Sequence, residues 1–338
     1  MAEHKLLYLN KDDVKAAGGE DLEAAIKAAK YGLLLHGKGD CVQPPKINLR
    51  KGPPGSPQAE QGLIMAMPGY VGGDLDIIGI KWLLAMAENP TKYGLPRSSA
   101  LIILNHPDNG LPIAIMDGTI VNIVRTGSVT AVGARYLANK NARSIGLVGA
   151  GPQGRMQILS LARVLPRLEE VYIFDIVEKK AEALAEELSG TLSIKVKAVG
   201  SSEAALSGRD VLVTATITKT PYVEACWLAP GSFYADIASS DAKIEVYKSA
   251  DKIFTDDLEQ MIYLGVGVLP NAIRRGEVDR GIVTANFGEV LAGVCRGRES
   301  EEERIIFKHI GMSVTDLTVA YEIYLRAKEK KLGTTLTL

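Results

Sequence analysis

Residues 143–154 read RSIGLVGAGPQG, a short apolar run that ends in a glycine-rich loop. The run is typical of a buried parallel strand, and apolar residues on one face of residues 154–165 predict a helix directly after the loop. Gly149, Gly151 and Gly154 have the G-x-G-x-x-G spacing, which provides a tight turn, close approach to a pyrophosphate and close helix–strand packing. The sequence therefore predicts a nucleotide-binding loop, and the alternative is a glycine turn that binds no ligand.

The residues around this loop predict which nucleotide it binds. Pro152 and Gln153 precede the helix, whose N-terminus would offer N–H groups and partial positive charge to the phosphates. A second predicted strand, residues 171–174, ends at Asp175, about 20 residues further on, where an acid can accept hydrogen bonds from both ribose hydroxyls. This carboxylate would repel a 2′-phosphate, and no arginine follows it directly. The sequence predicts NAD rather than NADP, with Thr216 as a further cofactor contact.

The middle of the chain alternates strand-like and helix-like segments, which predicts a doubly wound parallel sheet in an α/β fold. The further segments in this region are a helix at 178–188 and strands at 194–199, 211–215, 232–237 and 252–255. This domain is expected to cover residues 126–311, and residues 125–137 are predicted to form the helix that links it to the preceding part of the chain.

The two flanks of the chain predict a second domain. An early helix at 21–35 is followed by apolar runs that are joined by Gly, Pro and Asn turns, which indicates a mixed or antiparallel sheet. The last helix, at about 313–331, is expected to return to this sheet. Residues 1–125 and 312–338 would then form one discontinuous α+β domain.

The composition of the 338 residues excludes several classes of protein. Hydrophobic residues make up 46% and charged residues 23% of the chain, which is enough for a large core. The net charge of −1 lacks the basic excess of a nucleic-acid binder, and no apolar run reaches the ~18–20 residues that span a membrane. The three cysteines are widely spaced and the four histidines have no partner at metal-ligand spacing. A cytoplasmic protein that binds a small molecule, without a metal, is expected.

Three cations stand in apolar or glycine-rich surroundings: Lys46, Lys81 and Arg125. Hydride transfer at the Cα of an amino acid requires its carboxylate to be held by fixed positive charge. A lysine inside the apolar run 77–83 is costly unless it has a partner or a role, and a buried lysine can also work as an acid or base. The alternative for each cation is a snorkelling side chain or an ordinary ion pair.

Many ordered motifs along the chain resemble the ornithine cyclodeaminase and mu-crystallin family. The motifs are Pro44-Pro45-Lys46, Met67–Gly73, Gly79-Ile80-Lys81, Gly94-Leu95-Pro96, Met116–Thr119, Arg125-Thr126, Phe287–Gly293 and Phe307–Leu317. The resemblance implies a Rossmann domain beside a discontinuous substrate-binding domain that forms a homodimer. It also implies that Lys81 and Arg125 hold the substrate carboxylate, with Lys46 at a position that is usually arginine. The Arg125-Thr126 segment would contact the cofactor.

The chain departs from that family pattern at two positions. Ornithine cyclodeaminase has a glutamate just before the Met-Pro pair, and this chain has Met65 there. The family's catalytic aspartate, aligned on Lys243 and Glu245, corresponds to Ser239, so that Asp241 is the nearest substitute. Because a diamine substrate needs both carboxylates, these departures argue against cyclodeaminase activity.

Other local features resemble the subgroup that oxidises N-(2-amino-2-carboxyethyl)-L-glutamate: Lys46, Trp82, residues 94–100 and the shifted Asp241. Arg97 would add a cation for a substrate with more than one carboxylate, and the alternative is a surface arginine.

Taken with this resemblance, the sequence predicts an NAD-dependent oxidoreductase that acts on the C–N bond of an amino acid, an N-substituted amino acid or its imine. Lys46, Lys81, Arg125 and Arg97 would bind the substrate, and either Asp241 or Lys81 would move the proton. Two other functions stay open. One is a redox-neutral cyclodeaminase, and the other is a non-catalytic nucleotide- or small-ligand-binding protein of the crystallin kind.

Overall fold

The computed structural model describes residues 3–53 and 55–338. These residues form two compact units. The first unit comprises the described residues up to Arg125 together with Met312–Leu338, and the second unit is Thr126–Gly311.

The first unit contains one mixed β-sheet and the helices packed on it. Its strands are β1 (Lys5–Leu9), β2 (Cys41–Val42), β3 (Ile47–Leu49), β4 (Gly62–Val71), β5 (Ile77–Met86), β6 (Ser98–Asn105), β7 (Pro112–Asp117) and β16 (Thr334–Thr337). Its helices are α1 (Lys11–Ala16), α2 (Leu22–Lys38), α3 (Pro57–Glu60), the first part of α4 (Thr119–Leu137) and α12 (Ser313–Glu329). Among the described residues the strand order is β16-β1-β7-β6-β5-β4-β2, with β3 also paired to β4. The β1–β7 pair is parallel and the other pairs are antiparallel.

Helix α12 lies close to the sheet because two glycines face it. Gly69 on β4 and Gly79 on β5 are cross-strand partners. A Cβ atom on Gly69 would lie 2.7 Å from Ser313 Oγ, and one on Gly79 would lie 2.6 Å from Leu317 Cδ2. The glycines therefore let α12 approach the strands at the level of Asp316, which is fully buried.

The second unit contains a sheet whose strands are all parallel. Its strands are β8 (Ser144–Val148), β9 (Glu170–Phe174), β10 (Lys195–Ala198), β11 (Val211–Thr214), β12 (Phe233–Asp236), β13 (Lys252–Thr255), β14 (Ala285–Asn286) and β15 (Ile305–Lys308). Its helices, after the end of α4, are α5 (Pro152–Ala162), α6 (Glu178–Thr191), α7 (Ser202–Leu206), α8 (Ile244–Lys248), α9 (Leu258–Leu264), α10 (Val268–Arg274) and α11 (Phe287–Leu291). The described strands follow the order β10-β9-β8-β11-β12-β15-β13-β14.

This strand order places the glycine loop where ligands bind in such sheets. All residues of β8, β11, β12 and β15 are buried, as expected for strands that are covered on both faces. The chain order reverses between β8 and β11, and a crevice forms at such a switch point beyond the carboxyl ends of the strands. The loop that follows β8 begins there. The predicted doubly wound α/β fold of the Rossmann type is confirmed.

One local expectation was wrong, and one strand was not predicted. Arg125 does not open the linking helix, because α4 begins at Thr119 and already includes the apolar residues before Arg125. The segment Ile305–Lys308 forms β15, which pairs between β12 and β13 and was not predicted as a strand. A segment of four residues is too short to show a clear alternation of apolar and polar residues. It is recognised as a strand only from its pairing with the two flanking strands. No helix among the described residues is long and apolar enough to cross a membrane.

Candidate active site

The glycine loop of the second unit contains glycines of two kinds. Gly149 has φ +105°, and a Cβ atom there would lie 2.7 Å from Ala215 O. A Cβ atom on Gly154 would lie 1.9 Å from Gly149 O. These two glycines are therefore required by the turn and by helix packing. Gly151 is different, because an added Cβ would meet no atom within 4 Å and its φ of −82° and ψ of −176° suit any residue.

The open space at Gly151 is a test of whether the loop fits a dinucleotide. Gly151 is the N-cap of α5, and its side faces space rather than protein. Helix α5 starts with Pro152 and Gln153, and Pro at this position lacks only an N–H that the helix does not use. A bare helix N-terminus with room beside it suits a pyrophosphate. The residues present fit NAD.

Asp175 is held directly beside the loop. It follows β9, and its Oδ2 accepts a hydrogen bond from Ala150 N at 2.8 Å, while its Oδ1 accepts one from Val177 N at 2.9 Å. The carboxylate is thus fixed by two backbone N–H groups. Ile176 is 92% exposed and carries no charge. A fixed acid next to an uncharged residue suits ribose hydroxyls better than a 2′-phosphate.

Asp241 lies in the loop after β12 and is fully buried. Thr216 Oγ1 donates to its Oδ1 at 2.5 Å, so the structure brings these two predicted site residues together. Its Oδ2 is buried and has no hydrogen-bond partner among the described residues. Burial raises the pKa of Asp241 to about 6; the Thr216 hydrogen bond opposes this increase and the charge of Asp236 adds to it. Such a carboxyl can exchange a proton near neutral pH.

A second group of polar residues in this unit was not predicted. Asp236 and Lys308 are cross-strand partners at the ends of β12 and β15, and their side chains form a buried ion pair at 3.0 Å. Tyr247 Oη donates to Asp236 Oδ2 at 2.5 Å, and Lys308 Nζ donates to Ala238 O. The signal in the sequence was a pair of opposite charges, each at the end of an apolar strand. The network fixes the backbone that leads to Asp241.

Thr126, the remaining predicted cofactor contact, is buried on α4 at the start of the second unit. Its carbonyl oxygen accepts from Thr130 Oγ1 at 3.4 Å, and Thr130 Oγ1 is also hydrogen-bonded to His309 Nε2 at 2.9 Å.

The first unit contains a buried charged cluster, which we define as Lys46, Lys81, Arg125 and Asp316. Lys81 lies on β5 with no exposed surface. Its Nζ lies 2.7 Å from Asp316 Oδ2 and donates to Asn122 Oδ1 at 3.0 Å. Arg125 Nε lies 2.7 Å from Asp316 Oδ1. The structure therefore brings two of the predicted cations together around one carboxylate.

The third predicted cation, Lys46, belongs to the same cluster. Ile47 pairs with Ala66 and Met67 pairs with Lys81, which places Lys46 just before β3 beside the Met67 position. Lys46 is 7% exposed. Its charge acts on Lys81 strongly enough to lower the pKa of that amine.

The charges of Lys81, Arg125 and Asp316 do not balance among themselves. Burial lowers the pKa of Lys81 to about 7, the charges of Arg125 and Lys46 lower it further, and Asp316 opposes them. Arg125 Nη1 is buried and has no hydrogen-bond partner among the described residues. Lys81 and Arg125 thus share one acid, Asp316, and Arg125 Nη1 is left to donate. A ligand carboxylate would correct both deficits.

Arg97 and Met65 are two other residues of the first unit that the sequence singled out. Arg97 is exposed just before β6, and its carbonyl oxygen accepts from Met86 N at 2.8 Å. Met86 lies five residues from Lys81 along β5, so at roughly 3.3 Å per residue the Arg97 backbone is about 16 Å from Lys81. The structure does not bring Arg97 to the charged cluster of its own chain.

Met65 lies two residues from Met67 on β4 and so is on the same face of the sheet as Lys81. The side chain at position 65 on this face is therefore apolar.

Asp316 in this cluster, and Asn122, which hydrogen-bonds to Lys81 and Arg125, were not predicted from the sequence. Asp316 stands between Val314 and Leu317 on the buried face of α12. A carboxylate on an apolar helix face was the available signal, and it matches the signal that identified Lys81 on an apolar strand.

The ornithine cyclodeaminase/mu-crystallin family matches residues 12–331. The chain is 32% identical over 335 residues to N-((2S)-2-amino-2-carboxyethyl)-L-glutamate dehydrogenase of Staphylococcus aureus, which covers 99% of each protein. Its fold is similar to that of Thermococcus litoralis Delta(1)-pyrroline-2-carboxylate reductase in complex with NADH and L-proline, with 29% identity, a TM-score of 0.89 and coverage of 97% and 99%. An archaeal alanine dehydrogenase dimer with bound NAD has 32% identity, a TM-score of 0.88 and coverage of 98% and 99%.

These similarities agree with the resemblance that the motifs carry. The family match spans both units of the chain, and the relatives include the dehydrogenase subgroup that the local features resemble. The chain belongs to the ornithine cyclodeaminase/mu-crystallin family.

Proposed function

We propose that the chain is an NAD-dependent oxidoreductase that acts on the C–N bond of an amino acid, an N-substituted amino acid or the corresponding imine. The charged cluster is the observation that carries this proposal, because the two buried cations Lys81 and Arg125 share a single acid, Asp316, and together match a substrate carboxylate. The similarity to dehydrogenases and a reductase of amino acids and imines supports the reaction type.

The first unit, residues 1–125 and 312–338, is assigned to substrate binding. Arg125 Nη1 and the amine of Lys81 would donate to the carboxylate, and Lys46 would add a third positive charge. Because Lys81 and Arg125 are buried and held by Asp316 and Asn122, little reorganisation of these two groups is needed when the substrate binds. A carboxylate fixed in this way orients the neighbouring Cα.

The second unit, residues 126–311, is assigned to NAD binding. Gly149, Gly151 and the first turn of α5 would hold the pyrophosphate, and Asp175 would accept from the ribose hydroxyls. Thr126 and Thr216 are the further proposed contacts. When bound, NAD supplies the acceptor of the hydride from the substrate Cα, and NADH supplies the donor in reverse.

Asp241 is assigned as the group that moves the proton. With a pKa of about 6, it is mostly ionised at neutral pH and can take a proton from the amine nitrogen or from attacking water. Its Oδ2 is the oxygen that lacks a partner, so this atom would accept the proton. Oxidation would leave an iminium on the substrate, which water converts to a keto acid and an amine.

The substrate class follows from the residues beside the cluster. Met65 places an apolar side chain where a diamine-processing relative has a glutamate, so a distal ammonium has no acid there. Three kinds of substrate fit better than ornithine. They are alanine, a cyclic imine, and an N-substituted amino acid such as N-(2-amino-2-carboxyethyl)-L-glutamate.

A homodimer is proposed from the outer face of the first sheet. Ile78, Trp82 and Leu101 are 38%, 41% and 46% exposed on adjacent strands, and Trp82 pairs with Leu101. An apolar sheet face of this kind marks an interface, and a related alanine dehydrogenase is a dimer. Sedimentation should show a dimer for the wild type and a monomer for Trp82→Lys; a monomeric wild type would contradict the proposal.

The cytoplasm stays the proposed location, since Cys41, Cys226 and Cys295 are all free.

A substrate panel tests the reaction. Alanine, ornithine, arginine, lysine, cyclic imines and the glutamate–diaminopropionate conjugate are offered with NAD or NADP, and NADH absorbance is followed in both directions. Net NADH from an amino acid or the conjugate, or its consumption with an imine, is expected. Proline from ornithine without net NADH would identify a cyclodeaminase, and nucleotide binding without any turnover would identify a binding protein.

A further inference from the structure

We propose that Asp316 is a positioning residue that holds Lys81 and Arg125 in place and keeps Lys81 charged for the substrate carboxylate. This inference rests on the proposed function, because it concerns how the same cluster binds its substrate. It assigns to the C-terminal helix a part in substrate binding that the glycine loop and Asp241 do not supply.

Asp316 bridges the two cations with both of its oxygens. Oδ2 lies 2.7 Å from Lys81 Nζ and Oδ1 lies 2.7 Å from Arg125 Nε, and none of the Asp316 or Lys81 side chain is exposed. Each cation also contacts Asn122 Oδ1, at 3.0 Å for Lys81 Nζ and 3.4 Å for Arg125 Nη2. The positions of both cations are therefore fixed by α4 and α12 before any substrate binds.

Packing gives no reason for a carboxylate at this position. The neighbouring buried residues of α12 are uncharged: they include Val314, Leu317 and Ala320 and the hydroxyl residues Ser313, Thr315 and Thr318. Asp316 lies in the first turn of α12, where an acid contributes about 0.3–1 kcal/mol. Replacing a buried ion pair with apolar groups of similar volume is nevertheless often neutral or stabilising, so this small gain does not by itself explain a fully buried acid. An acid that serves the charge of Lys81 does explain it.

The groups around Lys81 show what Asp316 changes. Arg125 on α4 and Lys46 before β3 are both positive, and both lower the pKa of the Lys81 amine. The cross-strand partners of Lys81, Met67 on β4 and Ile102 on β6, are apolar. Asp316 is the acid that opposes burial and the two cations.

Without Asp316, Lys81 would lose its proton at a lower pH. A neutral amine would donate a weaker hydrogen bond to a carboxylate and would contribute no charge to its binding. The pKa of Lys81 in the intact cluster is about 7, so the amine is about half charged at neutral pH and a further decrease would leave it largely neutral there. Asp316 therefore increases the charged fraction of Lys81 that is available to a carboxylate there.

The test compares Asp316→Asn, which removes the charge in nearly the same shape, with Asp316→Glu, which retains it. The ratio of wild-type to variant kcat/KM is measured from pH 5 to pH 9 with one substrate, so that the substrate's own titration cancels. For each unit by which the Lys81 pKa falls in Asp316→Asn, this ratio should rise about tenfold between the acidic and the alkaline end. A purely structural role would change the ratio equally at every pH, and a flat ratio would overturn the inference.

Asp316→Glu addresses the positioning part and remains informative if Asp316→Asn does not fold. Its carboxylate is one methylene further from the backbone, so Lys81 and Arg125 are displaced while Lys81 stays charged. We expect KM for the substrate to rise several-fold with an unchanged pH dependence. An unchanged KM would show that Asp316 does not position the cations. Thermal unfolding and the Kd for NAD report whether each variant is folded.

A direct titration separates this inference from the proposed reaction. The Lys81 Nζ resonance of 15N-lysine-labelled protein is assigned by its absence in Lys81→Arg and followed with pH in the wild type and in Asp316→Asn. A lower titration midpoint in the variant supports the inference even if no substrate turns over, in which case the proposed reaction fails alone. Turnover with an unchanged midpoint would overturn the inference and leave the reaction standing.

Discussion

Substituting Gly151 with alanine separates the fold of the glycine loop from its use as a pyrophosphate site. The backbone at Gly151, with φ −82° and ψ −176°, is one that alanine adopts freely. An added Cβ would meet no atom of the chain within 4 Å. A glycine-to-alanine change at such a compatible site stabilises a protein by about 0.4–1 kcal/mol, so the free energy of unfolding should stay the same or rise slightly.

The expected loss lies in nucleotide binding. The new methyl group would occupy the space into which the pyrophosphate must come for the N–H groups of the loop to donate to it. A hydrogen bond to a charged group contributes about 1.5–3 kcal/mol. Loss of one such bond would raise the Kd for NAD by about 10- to 150-fold.

The assay is calorimetric titration with NAD, combined with thermal unfolding of the protein alone. Gly190→Ala is the matched control, because a Cβ there also meets no atom within 4 Å and α6 has no proposed ligand; its Kd should stay within twofold of the wild type. Gly154→Ala is the contrasting case, since its Cβ would lie 1.9 Å from Gly149 O and should disrupt the fold itself. If Gly151→Ala is stable and binds NAD as tightly as the wild type, the loop is not the pyrophosphate site.

Three further substitutions test the other assignments. Lys81→Ala should reduce kcat/KM at least a thousandfold while the Kd for NAD stays within a few-fold, and turnover that survives would show that the carboxylate is held elsewhere. Asp175→Ala should lower the ratio of kcat/KM with NAD to that with NADP at least tenfold, because the acid that repels a 2′-phosphate is gone; a ratio that stays high would contradict the cofactor argument. Asp241→Asn should remove an acidic limb near pH 6 from the profile of kcat/KM, since the raised pKa leaves the wild-type carboxyl protonated and unable to accept a proton below that pH; a limb that persists in the variant would assign it to another group.

Local patterns were sufficient for the Rossmann unit. The run before Gly149, the glycine spacing and the acid at Asp175 are neighbours in sequence, and their structure depends on a turn, a strand and a helix that form within about 30 residues of one another. The sheet of the first unit was predicted only as mixed or antiparallel, because strand order depends on pairings such as β1 with β7 that no local pattern encodes.

The charged cluster illustrates the limit of the sequence. Lys81, Arg125 and Lys46 stood out singly as cations in apolar surroundings, but nothing local joins Lys81 to Asp316, which lies on the last helix. The pair becomes visible only when Gly69 and Gly79 let α12 approach the strands. Arg97 shows the converse: a cation close to Lys81 in sequence lies at the turn end of the β5–β6 hairpin, whereas Lys81 lies in the middle of β5.

The most direct measurement is the transfer of deuterium from the substrate Cα to NAD. The substrate that turns over in the panel is synthesised with deuterium at Cα and incubated with the protein and NAD, and the NADH formed is analysed by mass spectrometry. Hydride transfer from the carbon between the amine and the carboxylate predicts that the NADH carries the deuterium and accumulates with the keto acid or imine product. NADH without deuterium, or product formed with no net NADH, would contradict it.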